Sequence, residues 1–314
     1  MRVSIHAYTD SMLNQFNALA GRQFNLQNQA STGLRVQSAS DDPAAMANTL
    51  ALIAKKNADT QYAQNITTLQ DRGNLIYGVL QTLQAHTTRA GELATIGAND
   101  PTSSDALKNY AKEVNDMIED TVKQANSKDT TSGTYLFGGT ASNSAPFSVT
   151  RNANGDISGV TYNGSSSVNQ SEIGENQTSS VDVPGVNNGA TGARGLFTDS
   201  QSGADFFNHL ISLRDHLLAG NKTAITSNDS PNIQKDENNL AYQVASNGVA
   251  QNRLATAASF ISDHSQSLDK AISNQSSADL VQTMVELNRA QNGYQAALQT
   301  SAKVMQMSIL NYIS

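Results

Sequence analysis

The sequence predicts an α+β protein. The expected form is an elongated, mostly α-helical antiparallel coiled-coil rod, built from the N- and C-terminal segments, with a small inserted β domain. Three observations predict it. Apolar residues recur at helical spacing near both ends of the chain. A stretch from about 140 to 200 is instead rich in Gly, Asn, Ser, Thr and Val. Only 38% of the 314 residues are hydrophobic and 5% aromatic, which suits slender bundles burying narrow stripes better than one thick core.

Taken in order, Met12, Phe16, Leu19, Leu26 and Ala30 stand three, four or seven apart and mark the first helix. Tyr62, Ile66, Leu69, Gly73, Ile76, Leu80 and Leu83 continue in steps of four and three as far as Ala94. Leu240, Val244, Asn247, Gln251, Leu254 and Ile261 do the same late in the chain. The last segment supplies Leu280, Met284, Leu287, Gln291, Tyr294, Leu298, Ser301 and Met305, with Ile309 and Leu310 beside them. Each is a stripe of the kind that packs helix on helix. Several positions are polar or small, so the pairing is expected to be adaptable. Residues 1–40 and 275–314 are expected to pair as an inner coiled coil. Residues 43–135 and 200–272 form the two halves of the rod, and 136–199 the β domain at its far end. In that domain, short β-prone runs flank Asn154-Gly155, a hairpin turn signal, and Asn163-Gly164 gives a second. The helix that follows, ADFFNHLISLRDHLLAG, ends at Gly220, a C-cap candidate.

Residues 31–46, STGLRVQSASDDPAAM, interrupt the helical pattern. Asp42 before Pro43 reads as a helix start: the carboxylate takes free backbone N–H groups, and proline fits the first helical position. Asp41 adds negative charge near the positive end of the helix dipole. Gly33, ahead of Leu34, reads as a left-handed stop for the preceding helix. The stretch is therefore a joint between helices. A catalytic carboxylate pair is the rival reading, but adjacent residues rarely aim at one substrate atom, and no His, Lys or Tyr lies nearby in sequence.

Composition narrows the function classes. A formal charge of −7 argues against a nucleic-acid partner. Zero cysteines remove thiolate zinc sites, iron–sulfur clusters and cysteine nucleophiles. No apolar run approaches the length of a membrane span, and no cleaved secretory signal is visible at the start. Arg289 and Lys303 are the cations after residue 280, too few for a membrane-surface helix. None of the five histidines is followed by Glu, so the HExxH zinc motif is missing; His209 and His216, seven apart, have no third converging ligand. The glycine-rich run at 189–195 has neither dinucleotide nor P-loop spacing. The expectation is a protein that is no enzyme and has no cofactor.

The joint STGLRVQSASDDPAAM resembles the N-terminal signature of bacterial flagellins and of their relatives at the hook–filament junction. MRVS at the start, GTYLFGGTASNSAPFS at 133–148, ADFFNHLISLRDHLLAG and the closing LVQTMVELNRAQNGYQAALQTSAKVMQMSILNYIS resemble segments of the hook-associated protein 3 family, in the same order. Ile309 stands where that family usually has Leu, and the β region matches nothing beyond YNG. The resemblance implies a structural subunit exported unfolded through the flagellar type III channel to an extracellular place in the flagellum. It also implies a homo-oligomeric ring there, between the proximal junction protein (hook-associated protein 1) and the flagellin filament. The alternative within the same resemblance is flagellin itself. The C-terminal stripe is a candidate dock for a cytoplasmic export chaperone before export. The helix joint (Gly33, Leu34, Asp41, Asp42, Pro43) and the stripe residues on the two end helices are the expected assembly sites.

Overall fold

The computed structural model describes the backbone of residues 5–99 and 102–313, and the side chains of 10–99 and 102–303. The fold is α+β. Its helices are α1 (Ile5–Thr32), α2 (Pro43–Ala98), α3 (Ser104–Ala125), α4 (Phe206–Ala219), the short α5 (Lys222–Ala224), α6 (Ser230–Ser276) and α7 (Leu280–Ile313). A π-helical turn, Ile225–Asp229, joins α5 to α6. Between α3 and α4 lie the strands β1 (Phe147–Arg151), β2 (Ile157–Tyr162), β3 (Ser171–Gly174), β4 (Gln177–Ser179), β5 (Val186–Asn187), β6 (Thr198–Asp199) and β7 (Ala204–Asp205). The chain divides into two compact units, one of residues 1–59 and 263–314, the other of residues 60–262.

In the first unit α1 and α7 pair antiparallel. Phe16 meets Tyr294 edge-on, ring centroids 5.9 Å apart, and Arg22 approaches Glu286 at 3.4 Å. On α1 the shielded positions are Met12, Phe16, Leu19, Gln23, Leu26 and Ala30, steps of four and three without a slip. The start of α2 lies along the end of α6 in the same unit. His264 Nδ1 is 2.7 Å from buried Asp59, and Lys56 pairs with Asp269.

In the second unit the α2–α6 seam is partly polar, and the reason is visible. Asn247 donates to the carbonyl of Gly73 (3.2 Å) and Gln251 to that of Gln70 (3.2 Å). A Cβ on Gly73 meets the Gln251 amide nitrogen at 2.1 Å, so only glycine lets that side chain reach across. Further along, the helical run stops at Ala98 and α3 folds back on α2. The turn-back is fixed by Arg89–Glu113 (2.6 Å) and by His86 against Thr121 (3.2 Å). The segment read from sequence as one half-rod, 43–135, is thus two antiparallel helices. Ser103 caps α3 by accepting from the Ala106 N–H, the signal that marks the second start.

The β insertion is three small sheets. β1 and β2 form an antiparallel hairpin around Asn154-Gly155, with Gly155 at φ +88. β3 and β4 form a second hairpin through Glu175 and Asn176, the latter left-handed at φ 57. Asn163-Gly164 makes no hairpin: Asn163 follows β2 and donates its N–H to Pro146 O (2.7 Å). β5 pairs parallel to β6, which pairs antiparallel to β7. Four phenylalanines (Phe137, Phe147, Phe197 and Phe207) bury together and join the β1–β2 and β5–β6–β7 sheets to α3 and α4, while Ile173 of β3 packs with Ile66, Leu69 and Leu254 of α2 and α6. Two arginines, Arg72 partly and Arg214 fully buried, finish the junction. Arg72 of α2 pairs with Asp182 and donates to the carbonyls of Tyr135 and Leu136. Arg214 of α4 donates to Ile157 O (2.7 Å) and Asn115 (3.1 Å). Gly220 closes α4 at φ +64.

Candidate functional site

The joint residues converge in the first unit. Gly33 takes φ +72 and donates its N–H to Gln29 O (2.9 Å), which satisfies one of the open carbonyls at the end of α1. Thr32 Oγ1 accepts from Leu34 N–H and from the Gln37 amide. Asp42 Oδ1 accepts from Ala45 N–H (3.0 Å), capping α2 with Pro43 at its first position. Asp41 Oδ2 accepts from the N–H groups of Gln37 (3.1 Å) and Ser38 (2.9 Å), folding the linker into a tight turn. The Gln37 and Ser38 amides hold the Asp41 carboxyl below the usual carboxylate range, and the Ala45 N–H does the same for Asp42.

The joint has a second strand that sequence reasoning did not single out. Residues 277–279, between α6 and α7, lie antiparallel to residues 33–36. Leu34 bridges Ser277, Ala278 N–H donates to Gly33 O (2.8 Å), and Arg35 N–H donates to Ser276 O (2.7 Å). The Arg35 guanidinium reaches Gln275 O (3.0 Å) and Asp42 (3.4 Å), so one side chain ties both crossings together. Val36 is buried beneath them. Asp279 starts α7 by accepting from Gln282 N–H (3.0 Å). Its position just before Leu280, with Gln three residues on, was the available signal.

Because both carboxyls are held low by amides that the unfolded chain does not offer, their contribution to the joint is present above the ordinary aspartate pKa. It is lost as pH falls through the lower, folded value. The amide resonances of Ser38 and Ala45 are expected to titrate together in acid, with a midpoint below that of a free aspartate. NMR titration checks this, and a midpoint at the free value counts against the capping geometry.

The stripe residues divide into two sets. Met12, Phe16, Leu19 and Leu26 face α7, and Leu287 and Tyr294 face α1. Leu280, Met284 and Leu298 are exposed, along with Val281 and Val285. The face α7 turns to α1 is Thr283, Leu287, Ala290, Tyr294, Ala297 and Ser301: Leu287, Tyr294 and Ser301 belong to the stripe read in sequence, and the other three lie one residue before Met284, Gln291 and Leu298. The shift has a packing reason: the bulky residues of α1 need small partners opposite, and Thr, Ala and Ser supply them. Met305, Ile309 and Leu310 lie outside the described side chains.

His209 and His216 are held structurally. His209 contacts buried Asp236 at 2.8 Å; burial pushes that carboxyl above the usual range, against the opposing pull of His209. His216 contacts Asp229 at 2.7 Å, and Ser212 Oγ donates to the same carboxylate (2.7 Å). These three residues are those of a hydrolytic triad, but the wiring is not. Ser212 donates to the Asp229 carboxylate and lies 3.4 Å from His216 Nδ1, but that same nitrogen is held by Asp229 at 2.7 Å, so serine and histidine both serve the aspartate in place of the Ser–His–Asp relay order. Among the described residues no group of three or more His, Cys, Asp or Glu could hold a metal ion, and no helix is long and apolar enough to cross a membrane.

Comparison with known proteins places this architecture. Residues 4–142 match the family model described as the bacterial flagellin N-terminal helical region, and residues 231–313 match the bacterial flagellin C-terminal helical region. The chain is 25% identical over 256 residues to flagellar hook-associated protein 3 of Salmonella typhimurium, covering 79% of this chain and 74% of that protein. A solved flagellar hook-associated protein of Vibrio parahaemolyticus superposes with a TM-score of 0.64 at 20% identity, covering 76% of this chain and all of that one. Flagellar hook associated protein-3 of Legionella pneumophila superposes with a TM-score of 0.59 at 14% identity, covering 71% and 98%. With the flagellin helical regions matched at both ends and spanning well over half its length, the chain belongs to the bacterial flagellin family.

Proposed function

We propose that this protein is a structural, non-catalytic subunit of the bacterial flagellum. It forms the junction ring between the hook, through hook-associated protein 1, and the flagellin filament. The observation that carries the reading is the similarity to a hook-associated protein 3 across most of both chains. The structure supports it physically. The α1–α7 pair buries one stripe and leaves Leu280, Val281, Met284 and Val285 in water, apolar surface that a lone chain gains nothing by exposing. Neighbouring subunits would cover it in a tube, and an export chaperone would cover it before transit through the type III channel. Flagellin remains the second reading, because the matched helical regions are those of flagellin. Two experiments decide. A strain lacking this protein should build hooks yet shed unpolymerised flagellin, and the purified chain should cap isolated hooks without growing filaments. Long filaments from the pure protein would establish the flagellin reading instead.

A further inference from the structure

A second stripe runs along α6 on the side turned away from α2. Tyr242, Ser246, Val249, Arg253 and Phe260 keep heptad-compatible spacing over about 27 Å of helix. They stand two residues, or roughly 200°, past the seam positions Leu240, Val244, Asn247, Gln251 and Ala258 respectively. Val249 is 69% and Phe260 66% exposed. Arg194 stacks over the Tyr242 ring at 4.1 Å and holds it in place. Arg253 donates to the Thr178 carbonyl at 3.5 Å, lines a cleft with Ser246, Val249 and Thr178–Ser180, and has no carboxylate within ion-pair distance among the described residues. In a chain of net charge −7 that is an uncompensated cation.

The back of α2 offers the complement. Asp71, Leu75 and Gly78 stand two residues past the seam positions Leu69, Gly73 and Ile76, so they too face away from α6. Asp71 has no cation within ion-pair distance among the described residues, Leu75 is exposed, and a Cβ at Gly78 meets nothing within 4 Å. A carboxylate, an apolar knob and a hole thus lie within two turns.

We propose that the Tyr242–Phe260 stripe of one copy packs on the Asp71–Gly78 face of α2 in the next copy, with Arg253 meeting Asp71. The two faces differ and lie on opposite sides of the α2–α6 pair. The contact is therefore heterologous, the kind that closes rings or extends helices, whereas an isologous contact stops at dimers. This rests on the ring reading above and adds the residues that make the lateral contact.

The chain has no cysteine, so introduced thiols report without background. The full chain carrying both V249C and L75C, assembled on isolated hooks and oxidised, should give a ladder of disulfide-linked species extending beyond dimers, because the pairing needs Cα atoms within about 7 Å. R253E or D71R in that background should each cut ladder yield about tenfold, and the two together should restore it. Hooks capped without a ladder, or V249C alone cross-linking as well as the pair, would overturn the interface and leave the junction reading standing. Failure to cap hooks at all would overturn both.

Discussion

Replacing Gly33 with valine will abolish capping of hook ends while leaving the thermal unfolding of the second unit unchanged. The residue sits at φ +72, where a Cβ clashes with the backbone and a β-branched side chain fares worst, a cost of about 1–2 kcal/mol or more. Nothing lies within 4 Å of a Cβ there, so the penalty is conformational and not steric crowding. Valine is expected to escape it by rotating the peptide, which withdraws the Gly33 carbonyl from Ala278 and pulls Leu34 from Ser277. Both crossings of the joint then lose register at once. Gly33→Asn is the control, since asparagine tolerates the left-handed region and should keep most of the activity. Hydrogen exchange at Arg35 and Ala278 reports the joint directly, and hook capping reports assembly. Full capping by the valine variant, with those amides still protected, would remove the joint from the mechanism.

The joint shows where sequence is readable and where it stops. Gly33, Asp42 and Pro43 could be interpreted from a few neighbouring residues, because helix stops and caps are local chemistry. The partner strand at 277–279 could not: its bonds to Gly33 and Arg35 cross more than 240 positions of chain, and Ser-Ser-Ala-Asp is unremarkable in a chain this rich in serine. The α1 stripe was legible since Met12, Phe16, Leu19 and Leu26 keep one helical spacing, which Leu13 and Phe24, both exposed, do not share. On α7 two stripes obey the same spacing, 280/284/287/291/294/298 and 283/287/290/294/297/301. Only the shape of α1 selects the second as the inner face, which leaves Leu280, Met284 and Leu298 outside. Periodicity alone passes over the break after Ala98, because the apolar period runs unbroken to Ala94, although Asn99-Asp100-Pro101 and the Ser103 cap mark it locally; α3 then returns to pair Arg89 with Glu113.

Whether the β insertion is a separate module or welded to the helices turns on Phe197. Its ring is fully buried, stacked on Phe207 of α4 at 5.3 Å and edge-on to Phe137 (5.5 Å) and Phe147 (5.1 Å). Its backbone carbonyl also accepts from Phe206 N–H at the start of α4 (2.8 Å). Removing the ring opens a cavity lined by groups from the helices and the sheets alike. Phe197→Ala is expected to cost about 3–5 kcal/mol, most of the margin of a typical domain. Val149→Ala, on the exposed face of β1, should change stability by less than about 0.5 kcal/mol. Denaturant unfolding followed by helical circular dichroism discriminates the two architectures. A welded core shifts the helical transition by the full amount, since Leu93, Ile118, Leu213 and Leu217 share the same cluster. A helical transition that stays put while near-ultraviolet signals from the insertion melt early would mean the β sheets fold on their own account. Arg72 and Arg214, each bonded to backbone carbonyls of the insertion from a helix, argue for the first outcome.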